Sequence, residues 1–166
     1  MASRVVERIA AGREPDIARA AARRLPRRGA APALESELVA HLAQIWRQPD
    51  QGIWESRGKP QQNTVSKVMA WVAVDRAIRA ATQSHQQAPL REWQRLRLRI
   101  HADVCRDAFR TDLDSFTQTY GGDELDASLL LLPLVGFISP HDHDPRMRGM
   151  VAAIERHLMS DGLVFR

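Results

Sequence analysis

Residues 68–81 read Val68-Met69-Ala70-Trp71-Val72-Ala73-Val74-Asp75-Arg76-Ala77-Ile78-Arg79-Ala80-Ala81. Val68, Trp71, Val72, Asp75, Ile78 and Ala81 fall on related faces at the three- and four-residue steps of an α-helix. The same period extends to both sides. Leu34, Leu38, Leu42, Ile45 and Trp46 predict an upstream amphipathic helix, ended by Pro49 and Gly52, and Trp93, Leu96, Ile100, Val104 and Ala108 predict a downstream one. Phe116 to Tyr120 reads as a short extended segment closed by Gly121 and Gly122. Asp126 is placed to cap a nearly all-apolar helix, Leu129 to Leu134. Asp144 and Pro145 make a cap and first-turn pair for a last helix through Val151, Ile154 and Leu158, ended by Gly162. The predicted fold class is all-α, and both a helical bundle and part of an α-toroid of helical hairpins satisfy the spacing.

With 166 residues the chain has room for one core. Hydrophobic residues at 44% and charged residues at 27% exclude wholesale disorder and collagen-like repeats, and one cysteine excludes a disulfide scaffold. No stretch reaches the roughly 18 to 20 apolar residues of a membrane span. Arg4, Glu7 and Arg8 interrupt the place where a signal peptide would build its apolar region, so a cytoplasmic protein without membrane contact is expected. The pI of 10.2 invites a nucleic-acid reading. Yet residues 1–28 hold eight arginines against three acidic side chains, leaving sixteen basic and seventeen acidic side chains for the rest. The body is thus nearly neutral, which argues against nucleic acid as its partner. From Ala18 to Ala33 every residue is Ala, Arg or Pro except Leu25 and Gly29, so residues 1–33 are expected to be a weakly ordered basic segment and 34–166 the folded domain.

Chemistry concentrates in Pro49-Asp50-Gln51-Gly52-Ile53-Trp54-Glu55-Ser56-Arg57-Gly58-Lys59, which sets an indole, a carboxylate and a guanidinium on one glycine-flanked loop. An indole packs on the apolar face of a pyranose, an arginine donates directed hydrogen bonds to hydroxyls, and a carboxyl group can protonate a glycosidic oxygen. In isolation the same residues also describe a tryptophan anchoring a loop beside a surface ion pair.

Context narrows the choice. The loop is followed by Ser66-Lys67-Val68-Met69-Ala70-Trp71 and continues to Asp75-Arg76-Ala77. Further on come Phe116-Thr117-Gln118-Thr119-Tyr120-Gly121, Leu125-Asp126-Ala127-Ser128 with Leu129 to Pro133, Gly136-Phe137, and Asp144-Pro145-Arg146. In order and spacing these resemble glycoside hydrolase family 15, the glucoamylase and trehalase-like enzymes, from Leu34 to Arg166. The resemblance implies a partial arc of a six-hairpin α/α toroid and inverting α-glucosidase chemistry without a cofactor or metal. Its substrate would be an α-glucoside, maltooligosaccharide or trehalose. Glu55 matches the general acid, Trp54 would line the pocket of the non-reducing glucose, and Arg57 would bond its hydroxyls. Lys67, Trp71 and Asp126 fall in family motifs near the pocket wall. Each also has a scaffold reading: Lys67 pairing with a carboxylate, Trp71 packing, Asp126 capping.

Two departures stand out. Asn63-Thr64-Val65 replaces the aromatic, Thr and His that the family places before Ser-Lys. The family's general base and an Arg-Asp sugar-binding motif lie outside the region that matches, so the resemblance implies a chain inactive alone and completed by a further segment or complementing fragment. The competing expectation is a non-catalytic helical module that binds an acidic partner or nucleic acid through residues 1–28, and a third is a degenerate gene product without activity. His141-Asp142-His143-Asp144 carries metal-ligand residue types, but neighbouring side chains on a loop point apart and no distant Cys or His completes a set. Cys105, on an apolar helical face, reads as an inert thiol with no neighbour to depress its pKa.

Overall fold

The computed structural model describes residues 31–55, 57–139 and 144–165. Along the chain lie α1 (Ala31–Ile45), α2 (Thr64–Gln83), α3 (Leu90–Asp107), a hairpin of β1 (Phe109–Arg110) and β2 (Ser115–Phe116), and a 3-10 turn (Ala127–Leu130) running into the short α4 (Leu131–Leu134). These are followed by α5 (Pro145–Leu158) and a hairpin of β3 (Met159–Ser160) and β4 (Leu163–Val164). The fold class is all-α, with two minimal hairpins as its only named strands among the described residues.

The centre is α2 against α3. Val68, Trp71, Val74, Ile78 and Ala81 of α2 are buried with Trp93, Leu96, Ile100 and Val104 of α3. Asp75 lies on this face at 1% exposure. Its carboxylate is satisfied by Arg76 and Arg79 at 2.8 Å and, across the helix interface, by Arg97 at 2.7 Å. From the other side α5 packs Met147, Met150 and Ile154 against β2 and the 3-10 turn, burying Phe116 and Leu129 completely. Gly149 permits this approach, because a Cβ there would collide with the backbone oxygen of Asp114 in the β1–β2 turn. Asp144 caps α5, accepting the Arg146 amide at 3.0 Å, with Pro145 in the first turn.

Several expectations shift. Helix α1 begins at Ala31, not Leu34; Val39 is buried on it and Trp46 in the turn that follows it, with Leu42 packed beside them. Leu34 and Leu38 are 57% and 59% exposed, since α2 covers the opposite side of the helix. The apolar run 129–134 is a 3-10 turn followed by a four-residue helix. α5 ends at Leu158, and Gly162 instead turns the terminal hairpin with Asp161, both at positive φ. Of the segment Phe116 to Tyr120 predicted as extended, Phe116 ends β2 and Thr119 bridges Asn63, with a bend at Gln118 and a turn at Tyr120; the Thr117 amide donates to Ala108, while Gln118 and Tyr120 pair with Thr64 and Gln62. The expectation for residues 1–33 lies outside the described residues, apart from 31–33 in α1. No helix among the described residues is long and apolar enough to cross a membrane.

Candidate active site

The Trp54–Glu55 loop leaves the fold after α1 and returns before α2. Its neck is closed by reciprocal backbone bonds between Asp50 and Gln61, at 2.8 and 2.9 Å. Gly52 sits at φ 69, and a Cβ there would lie 2.9 Å from Asn63 Oδ1, so both backbone and space require glycine. The Glu55 amide donates to the Gly52 carbonyl at 3.2 Å, closing a turn that holds Glu55 at φ 49. That left-handed conformation costs a non-glycine residue roughly 1–2 kcal/mol, and such strain collects at functional sites.

Trp54 fixes the loop tip. Its indole Nε1–H donates to Asp126 Oδ2 at 2.9 Å across 72 residues of sequence, while the side chain stays 41% exposed. Asp126, at 2% exposure, accepts the Ser128 amide at 2.7 Å and the Ser128 hydroxyl with its other oxygen. It therefore caps the 3-10 turn and anchors Trp54 together. Glu55 and Arg57 are exposed on the same loop, and neither side chain makes a hydrogen bond or ion pair with another described residue. Among the described residues, Glu55 has none of the side-chain polar partners that hold Trp54 and Asp126.

Lys67 is 3% exposed and lies beneath the neck, donating to the Gln48 carbonyl at 2.6 Å and to Asp50 Oδ2 at 3.0 Å. Trp71 lies in the core, edge-on to Phe137 at 5.3 Å and 6.5 Å from His101. The structure thus ties Trp54 to Asp126 at the loop that also carries Glu55 and Arg57, sets Lys67 under its neck and packs Trp71 in the core.

Asp50 escapes sequence reasoning. Its Oδ1 accepts from the Gly52 amide at 2.7 Å, the Ser66 hydroxyl at 2.6 Å and Asn63 Nδ2 at 3.1 Å, and its Oδ2 takes Lys67. Partial burial opposes its charge, but the bonds from Ser66, Lys67 and Gly52 prevail and hold the carboxyl below its ordinary range. The Asp-x-Gly spacing signals the local turn, whereas the donors from α2 leave no local trace. A polar cleft of about 240 Å³ opens beside this node, walled by Gln51, Lys59, Gln61, Gln118 and Glu124 among others. A narrower crevice shares Gln51, Asn63 and Gln118 and adds Trp54 and Val65. The departing residues Asn63 and Val65 thus serve as a neck tie and a crevice wall.

Cys105 corrects one expectation, because Arg146 Nη1 lies 3.0 Å from its sulfur. Burial outweighs that cation, and the thiol is raised above its ordinary pKa. His141, Asp142 and His143 fall outside the described residues. Among the described residues no group of three or more His, Cys, Asp or Glu could hold a metal.

A family model described as glycosyl hydrolases family 15 matches residues 18–166. The chain belongs to this family. Among its relatives, a trehalase of Mycobacterium tuberculosis is 46% identical over 131 residues, 77% of this chain and 18% of that protein. A trehalase of Mycolicibacterium smegmatis is 43% identical over 81% of this chain and 20% of its own length, and one of Thermoplasma volcanium is 39% identical over 78% and 20%. The family 15 chain therefore spans about a fifth of the length of these relatives. No solved structure matches it significantly.

Proposed function

We propose that this chain is the general-acid segment of a trehalase-like inverting α-glucosidase, forming part of the wall of a helical toroid. The observation that carries the reading is Glu55, exposed at positive φ on a loop whose tryptophan is tied to Asp126, within a chain similar to trehalases. Glu55 protonates the glycosidic oxygen of an α-glucoside. Trp54 offers its ring to the non-reducing glucose and Arg57 its guanidinium to the hydroxyls. Lys67 and Asp126 support this wall from below, and Trp71 backs it from the core. The relatives' names favour trehalose over a maltooligosaccharide.

Inversion also needs a second carboxylate that activates water on the opposite face of the sugar, roughly 6.5–9.5 Å from the acid. In this reading a different segment supplies that base, and the 166 residues alone turn over negligibly. Positioned acid or base assistance contributes about 10²- to 10⁴-fold, and incomplete substrate positioning adds to the deficit. The test joins the chain, covalently or as co-expressed fragments, to the segments that flank the matching region in a full-length trehalase. Trehalose hydrolysis should appear on completion and vanish in Glu55→Gln. Glucose release by the 166-residue chain alone would refute the division of labour, and a completed enzyme indifferent to Glu55→Gln would refute the acid.

A further inference from the structure

Because the Glu55 side chain has no partner among the described residues, whatever places its carboxyl works through the loop backbone. Two hydrogen bonds in series lead from Glu55 back to the neck: its amide donates to the Gly52 carbonyl, and the Gly52 amide donates to Asp50 Oδ1. Asp50 is in turn held from α2, by the Ser66 hydroxyl and the Lys67 ammonium, and from the α2 cap by Asn63. Its own amide and carbonyl pair with Gln61 at the loop's return. Four side-chain acceptances, two backbone–backbone bonds and a bond from Asn63 Nδ2 to the Asp50 carbonyl thus converge on one residue where the loop leaves the fold. The pair is not sealed in the core, because the Asp50 side chain is 34% exposed where that of Lys67 is 3%. The convergence transmits the rigidity of α2 to the turn that presents Glu55.

We propose that Asp50, with Lys67 as its buried counter-charge, is the positioning residue of the Trp54–Glu55 loop. Its catalytic meaning rests on the role proposed for Glu55, but the measurement reads loop geometry and can fail separately.

The chain has four tryptophans, Trp46, Trp54, Trp71 and Trp93, whose indole N–H resonances report the loop and the core in one spectrum. Asp50→Ala alone would strand the Lys67 ammonium in the interior, so the informative variant is Asp50→Ala with Lys67→Met, which removes both charges. In the 166-residue chain this double variant should raise exchange of the Trp54 indole and of the amides of 51–55 by about tenfold or more, the loss expected when charge-assisted bonds are removed. The Trp71 and Trp93 signals should stay as they are. Glu55→Gln should leave loop exchange unchanged, whichever way the activity test falls. The proposal is overturned if loop exchange in the double variant stays near wild type, which would leave the Trp54–Asp126 bond as sufficient anchor. It is equally overturned if all four indoles change together or the double variant does not fold, since Asp50 would then be a residue of the fold rather than of the loop.

Discussion

Asp126 gives one carboxylate two duties, capping a turn and anchoring an indole, and substitutions separate them. Asp126→Ala removes the acceptor for Ser128 and Trp54 at once, and should lower unfolding free energy by roughly 1–3 kcal/mol. Trp54→Phe keeps a ring at the loop tip and spares the cap, so its cost should stay near or below about 1 kcal/mol. Urea denaturation of the two variants checks the order, and equal losses would mean that the cap carries little. The same reasoning separates Glu55 from its surroundings. An exposed side chain without a partner among the described residues adds little to stability, so Glu55→Gln should shift the urea midpoint negligibly.

Among the elements, α5 carries the sharpest test. Alanine exceeds glycine in helix propensity by about 1 kcal/mol, yet Gly149→Ala should destabilise, because its new methyl meets the Asp114 turn. A rise in melting temperature would show that the turn yields. Asp75 joins α2 to α3 through Arg97, and its removal should cost about 1.5–3 kcal/mol, the range of hydrogen bonds to charged groups. The arginine heads, open to water, limit the loss. What could be read from sequence follows from the range of each force. The 3.6-residue period reveals α2 and α3 because their apolar faces meet each other. In α1 the outward Leu34 and Leu38 compete with the face of Val39 and Leu42, and only the position of α2 decides between them. The β3–β4 strands are two residues each, too short for an alternating pattern, although Asp161-Gly162 is a hairpin dipeptide. The residues of the Trp54–Glu55 loop were legible as a motif. Their anchors were not, since Ser66 and Lys67 reach Asp50 from sixteen and seventeen residues away and Asp126 reaches Trp54 from farther still.

For the molecule as a whole, acid should act in two stages. Burial, reinforced by the Arg146 guanidinium, holds His101 below its ordinary pKa in the folded state. The unfolded chain therefore takes up this proton first, and stability should begin to fall as pH drops through about 6.5. Asp144, held down chiefly by its bonds from Arg146, and Asp50 have the same sign, so their contribution is present above about pH 3.9 and fades below it. Urea midpoints at pH 7.5, 5.5 and 3.5 should decline at both steps. His101→Gln should weaken the first decline and leave the second.

The indole bond from Trp54 to Asp126 also sets an order of events during synthesis. The loop sequence leaves the ribosome 72 residues before its anchor exists. At about 5–20 residues per second, the nascent chain waits on the order of 4–14 s before Asp126 is made. Through that interval the neck at Asp50 can close as soon as the start of α2 is out, but the tip cannot. A pause placed between codons 61 and 126 would prolong this half-anchored state, and proteolysis of stalled nascent chains should then cut near Trp54 until the later carboxylate emerges.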